Sequence, residues 1–371
     1  MKPYFKILIF FIILLSSINV DKSDAQILSD TSSFRVIEMC ISDIYNFRFS
    51  DASDKCAKLN GQYPGHPAVR LIHGMIVYWQ FYPLLPESPN EKIFLDDMNT
   101  AIRLSEKKER SGNETEYLLI NLCSRGMLLQ YYADIDKDSE IFPLAKSTYQ
   151  HIRKAFKYSS AYYDFNFFTG LYNYYREAYP EAYPIYKAFA IFFPRGNKTE
   201  GIKEMQIASQ HSLLLKAESY SFLAWISTSF EHDFSGATDY SRKLYDLYPD
   251  NTLYLAEYIK NLLLTKQYNE AEKLLHDMDK DNNGPFLLGV FEIFNGILQE
   301  KAYNDNKVAQ KLYEQAIAEI SPFASYGNEY AAYAYFGLSR ICDATGDKKG
   351  RKAYHKKASD LAVFKNIDFG N

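Results

Sequence analysis

Apolar residues recur at helical spacing through most of the chain. Between residues 67 and 82 they return every three or four positions and form one face of a helix: Val69, Ile72, Met75, Ile76 and Trp79. The same kind of pattern, interrupted by turns rich in proline, glycine or asparagine, predicts helices at 33–47, 51–59, 91–110, 114–133, 140–158, 199–212 and 214–231. The pattern therefore predicts an all-α fold.

Two neighbouring segments are related by an interval of 34 residues. In each of them an aromatic, a small and a larger apolar residue keep the same spacing: Phe234, Ala237 and Leu244, then Tyr268, Ala271 and Met278. A small residue at the crossing point lets two helix axes approach to about 8–10 Å. Pro249 follows the first segment and is expected to end its second helix. The spacing predicts stacked pairs of helices.

This period and these residue types resemble the tetratricopeptide repeat. Similar intervals occur near the start of the chain, at Phe49, Ala52, Leu59 and Pro64, and near its end, at Ala309, Tyr313 and Ala316. The resemblance implies a right-handed superhelix of helical hairpins, an α-solenoid, over residues 26–371 with the most regular repeats at 214–362. It also implies that the small residues that pack the helices together are Ala52, Ala237, Ala271, Ala309 and Ala358.

The segment 160–200 is irregular and rich in aromatic residues, with 14 of them between positions 162 and 194. Pro180 and Pro184 are expected to split it into two helices, of which the second, 185–193, is apolar on almost every side. Aromatic rings in such number form either a thick core or an exposed patch for a partner, a glycan or a membrane. We favour the core.

A second resemblance covers residues 160–280. Gly170 to Tyr175, Pro180, Gly196, Gly201-Ile202 and residues 223–226 are similar to the middle of a family that includes exported bacterial tetratricopeptide proteins and the Iml2-type inclusion-body-clearance proteins. These residues are packing motifs, so the resemblance implies an architecture and no chemistry.

The first 25 residues have the composition of a signal peptide. Lys2 and Lys6 precede the apolar run 7–15, and the small residues Ser23 and Ala25 stand where a signal peptidase would cut. An Ala-Gln junction resembles exported proteins of the Bacteroidetes type. We expect a periplasmic or secreted protein; the alternative is a membrane anchor that is never cleaved, for which the run is short.

Four cysteines are present, and in an exported protein an even number permits disulfides. Cys40 and Cys56 lie nearly symmetrically about the first predicted turn, so a bridge between them is one interpretation. The other is that all four are small, buried apolar residues.

The sequence contains no recognisable catalytic or metal-binding motif. It has no H-E-x-x-H, G-x-S-x-G or phosphate-binding loop, and no cysteine pair at zinc spacing. We therefore predict a protein that is not an enzyme and that has no cofactor and no metal. The net charge of −4 gives no basic footprint for nucleic acid.

The tetratricopeptide resemblance implies that the first helix of each repeat lines a concave groove. Four positions are expected to be exposed there and to bind a partner: Trp225, Lys260, Tyr333 and Arg340. We predict an exported scaffold that binds a protein or an extended peptide, with contact to a membrane surface left open. The alternatives are a glycan-binding or cell-envelope component, and an enzyme with an unrecognised site between repeats.

Overall fold

The computed structural model describes residues 27–109, 114–184, 187, 191, 193–278, 283–364 and 367–370. In these residues it is all-helical without a β-strand, which confirms the predicted fold class. The predicted signal peptide and most of the predicted helix 185–193 lie outside the described residues.

The α-helices follow one another with short connections. In chain order they are α1 (Thr31–Tyr45), α2 (Phe49–Gln62), α3 (Pro67–Gln80), α4 (Pro89–Glu109), α5 (Glu114–Asp134), α6 (Asp138–Ala155), α7 (Phe165–Ala182), α8 (Lys198–His211), α9 (Lys216–Ser229), α10 (Phe234–Leu247), α11 (Thr252–Leu264), α12 (Tyr268–Asp277), α13 (Pro285–Lys301), α14 (Asn306–Ile320), α15 (Asn328–Ala344) and α16 (Lys348–Leu361). A 3₁₀ segment, Ser321–Gly327, joins α14 to α15. The helix α7 ends at Ala182, between Pro180 and Pro184, where these two prolines were expected to divide the stretch, although Pro180 itself lies inside α7.

The helices contact one another in a regular pattern. Each described helix packs against the next one along the chain, so α1 and α2, α3 and α4, and the later couples form helix pairs. Contacts between second neighbours join odd-numbered helices: α1 with α3, α3 with α5, α11 with α13, and α13 with α15. In the first three pairs and in the last three, the first helices of successive pairs therefore lie side by side. The five alanines named above are fully buried.

The turns inside the helix pairs share one backbone conformation. Two residues before the second helix, φ is positive in seven pairs: Phe47, Glu87, Asp136, His232, Lys266, Asn304 and Gly346. In several of these pairs an aspartate then caps the second helix. In α10, for example, the Asp233 Oδ1 accepts the N–H of Gly236 at 2.9 Å. Because only the last of the seven is glycine, sequence composition conceals this repeat.

Glycines allow the closest helix crossings. A Cβ on Gly201 would lie 2.6 Å from the carbonyl oxygen of Gly170, and a Cβ on Gly170 would lie 2.8 Å from that of Gly201, so α7 and α8 cross backbone to backbone. Tyr313 of α14 fits between Gly296 and Gly337 in the same way. Steric contact between α7 and α8 therefore explains why the predicted packing motif has glycine at positions 170 and 201.

Two buried carboxylates hold segments that are distant in sequence. Glu116 accepts the N–H groups of Ile27 and Leu28, both at 3.0 Å. Asp164 accepts the three successive N–H groups of residues 213–215 at 2.7–3.0 Å. Burial raises the pKa of Asp164, although these N–H groups act in the opposite direction. Each carboxylate thus accepts hydrogen bonds from backbone N–H groups that precede a helix and have no acceptor within it.

The early helix pairs touch the late ones. Asn251 donates to the carbonyl oxygen of Tyr45 at 3.0 Å, and the Tyr326 hydroxyl donates to that of Leu84 at 3.0 Å. The rings of Tyr82 and Tyr326 lie 5.3 Å apart. The early and late helix pairs are therefore in direct contact, and aromatic side chains take part in it.

Candidate functional site

The structure places the four predicted groove residues on odd-numbered helices. Trp225 lies on α9, Lys260 on α11, and Tyr333 and Arg340 on α15. Trp225 and Arg340 are partly exposed, but the predicted exposure of the other two is wrong: Lys260 is 4% exposed and Tyr333 is 1% exposed. The reason is that other parts of the chain cover this face.

Lys260 is buried with an acidic partner. Its Nζ lies 2.7 Å from an Oε atom of Glu257, one helical turn away on α11. Burial acts to lower the pKa of Lys260, but the charges of Glu257 and Glu329 outweigh it and hold this pKa above its ordinary value. The ammonium group is therefore charged and satisfied inside the protein, and it does not offer a free cation to a partner.

Arg340 is held by Glu300 of α13. Two of its nitrogens lie 2.6 and 2.8 Å from the two Glu300 oxygens, which is a bidentate pair. Tyr313 also donates to Glu300, at 2.8 Å. Burial acts to raise the pKa of Glu300, yet the hydrogen bond and charge of Arg340 bring it below its ordinary value. This network fixes the Arg340 guanidinium in one orientation.

The C-terminal segment covers this face. The helix α16 ends at Leu361, and Ala362 turns the chain into an extended conformation. The ring of Phe364 then lies 5.3 Å from Trp225 and 5.2 Å from Phe230, in edge-on contact with both. The expected binding residue Trp225 is thus already in contact with an aromatic side chain of the same molecule.

The segment continues toward α15. Ile367 and Phe369 are buried, and the Phe369 ring lies 5.1 Å from that of Tyr333 at an interplanar angle of 81°. Arg340 donates from Nη1 to the backbone carbonyl of Asp368. We call the described residues 362–364 and 367–370 the tail, and we call the surface that they contact the tail groove, formed by Trp225, Phe230, Tyr333 and Arg340.

A cleft of about 410 Å³ opens at one end of the tail groove. Its walls come from the end of α7, the turn after α9 and the tail, including Ala178, Lys198, Phe230 and Phe364. Lys198 lies 3.1 Å from Glu181 and 3.3 Å from Glu231, so the rim is charged while Phe230 and Phe364 make the inner wall apolar.

The four cysteines are free thiols, and no bridge joins Cys40 to Cys56. The Cys40 sulfur donates to the carbonyl of Ala52 at 3.3 Å, and the Cys56 sulfur donates to that of Val69 at 3.7 Å. Burial raises the pKa of Cys40 to about 12 and that of Cys56 to about 11. Both sulfurs are therefore packed as protonated, unreactive groups.

The aromatic segment divides into two parts. Phe165, Phe168 and Tyr174, in the first half of α7, are buried and belong to the core. Tyr179 and Phe193, toward the far end, are exposed. The core interpretation therefore describes the buried rings of α7, whereas Tyr163, Tyr179 and Phe193 present aromatic surface to solvent. In the residues that the structure describes, no group of three or more His, Cys, Asp or Glu side chains is arranged to hold a metal ion.

Comparison of the chain with models of known protein families and with curated proteins gives no match. Among the described helices, none combines the length and the apolar character that crossing a membrane would require.

Proposed function

We propose that this protein is a non-enzymatic, exported scaffold that binds a protein or an extended peptide in the tail groove. Its helix pairs are proposed to be tetratricopeptide-type repeats stacked in a right-handed α-solenoid. The side-by-side odd-numbered helices, the shared turn conformation and the buried alanines support the repeat. The proposal of export rests on the sequence of residues 1–25.

The observation that carries the proposal is the tail itself. A non-helical segment of polypeptide lies against Trp225, Tyr333 and Arg340, which come from two different odd-numbered helices. The contacts combine aromatic side chains with a hydrogen bond to a main-chain carbonyl. Main-chain recognition together with side-chain pockets is how grooves of this kind bind extended peptides. A partner peptide would use the same groups.

A displayed library of short random peptides, selected on the full-length protein, tests the proposal. We expect the enriched peptides to bind the Trp225→Ala variant about fivefold more weakly, since an aromatic contact of this kind contributes on the order of 1 kcal/mol. The matched control is Phe142→Ala, which removes an aromatic ring that is 72% exposed on α6. Selection of peptides that bind both variants equally would show that the groove assignment is wrong.

A further inference from the structure

We propose that the tail is an intramolecular ligand of the tail groove and that it competes with an external peptide of the same pattern. This pattern is an aromatic residue, then an aliphatic, an acidic and a second aromatic residue at the spacing of Phe364, Ile367, Asp368 and Phe369. The inference rests on the proposed function, and it names the class of ligand and the way in which access to the groove is regulated.

The two aromatic positions define the ends of the pattern. Phe364 presents its ring to both Trp225 and Phe230, with interplanar angles of 74° and 68°. Phe369 meets Tyr333 in the same edge-on arrangement. Edge-on aromatic pairs are stabilised beyond the area that they bury, and this stabilisation depends on ring geometry. Both positions therefore select aromatic residues over aliphatic ones.

The acidic position faces positive charge. Burial acts to lower the pKa of Arg340, but the hydrogen bond and charge of Glu300, with a smaller contribution from the charge of Asp368, hold it above its ordinary value. The main-chain carbonyl of the same residue accepts the hydrogen bond from Arg340. Since Glu300 holds the guanidinium in place, Arg340 is oriented before any ligand arrives. A ligand with a basic residue here would meet repulsion.

The tail also has features of a ligand that can leave. Phe369 has a φ of 55°, a left-handed conformation that is unfavourable for a bulky residue, so its burial offsets local strain. The described residues of the tail are non-helical, and the Phe364 carbonyl accepts the N–H of Ile367 at 3.3 Å. The cleft of about 410 Å³ beside Phe364 offers further contact surface to a longer peptide that takes its place.

The test uses a fluorescent peptide with the sequence of residues 362–371, added in trans and followed by fluorescence anisotropy. Three full-length proteins are compared: wild type, the double variant Phe364→Ala/Phe369→Ala, and the control Val363→Ala at a tail position that is 56% exposed. A tethered ligand has an effective concentration on the order of 1 mM. For a peptide Kd of about 10 μM, the double variant should bind about 100-fold more tightly than wild type or the control.

Circular dichroism of the double variant gives the second readout. Retained helical signal together with the tighter peptide binding is the result we expect. Loss of the helical signal would overturn the proposal, because the tail would then be part of the core. Equal or absent binding to the variant and to wild type would overturn it as well. If displayed peptides still bind through Trp225 in that case, only the tail proposal fails; if they do not, the scaffold function fails with it.

Discussion

The carboxyl group of Glu218 should make the stability of this protein depend on pH near neutrality. Glu218 lies on α9, where one of its oxygens accepts a hydrogen bond from the Tyr45 hydroxyl. Within the described residues, the other oxygen is buried without a hydrogen-bond partner. Burial, with a smaller contribution from the charge of Asp164, raises the pKa of Glu218 to about 7.

The sign of the effect follows from this raised pKa. In the unfolded chain Glu218 ionises near its ordinary value of 4.5. The folded protein therefore keeps its full stability below pH 4.5 and loses part of it as the pH rises through 7. A difference of about 2.5 pKa units corresponds to a loss on the order of 3 kcal/mol at pH 8.

The variant Glu218→Gln tests this reasoning by urea denaturation between pH 4.5 and pH 8. Glutamine keeps an oxygen that can accept from Tyr45, but it does not ionise. We expect the two proteins to have similar free energies of unfolding near pH 4.5, and the variant to be more stable by up to about 3 kcal/mol at pH 8. The control is Glu38→Gln at an exposed position of α1, which should leave the pH dependence unchanged. Parallel curves for Glu218→Gln and wild type would refute the reasoning.

Two further predictions concern glycines, and urea denaturation at pH 7 measures both. Gly201→Ala should destabilise the protein by about 1–3 kcal/mol, because the new Cβ would meet the backbone of α7. Gly61→Ala, at a position of α2 where the new Cβ would meet nothing within 4 Å, should be neutral or stabilising. Gly346→Ala should lower the free energy of unfolding by about 1 kcal/mol. The cause is its φ of 77° alone, since the new Cβ would meet nothing within 4 Å. Gly284→Ala is equally open but has a φ of −69°, so it should leave the stability unchanged. Equal effects within either pair would contradict the packing or the turn conformation.

Much of the fold could be predicted because the signals are local. Helical periodicity, prolines and the 34-residue interval between Ala237 and Ala271 depend on neighbouring residues, and the helix bounds differ from those predicted by a few residues. The left-handed turn residues were missed because amino acids as different as Phe47 and Lys266 adopt the conformation. Their common position before each second helix becomes visible only in the structure.

The candidate site was predicted in part. Trp225 and Arg340 are partly exposed, as predicted, and both contact the tail. Their coverage by the tail could not be predicted, since the contact between Trp225 and Phe364 joins positions that are far apart and share no periodic pattern. One signal was present: apolar and aromatic residues, Ile367 and Phe369 among them, follow the segment that forms α16.

Photo-cross-linking tests the central claim, that the tail lies in the groove of its own chain, most directly. Benzoylphenylalanine at position 364 of the full-length protein has room in the adjoining cleft. On irradiation we expect an intramolecular cross-link, located by mass spectrometry, to the α9 peptide that contains Trp225. Cross-links confined to α16, or none to α9 at any protein concentration, would contradict the account.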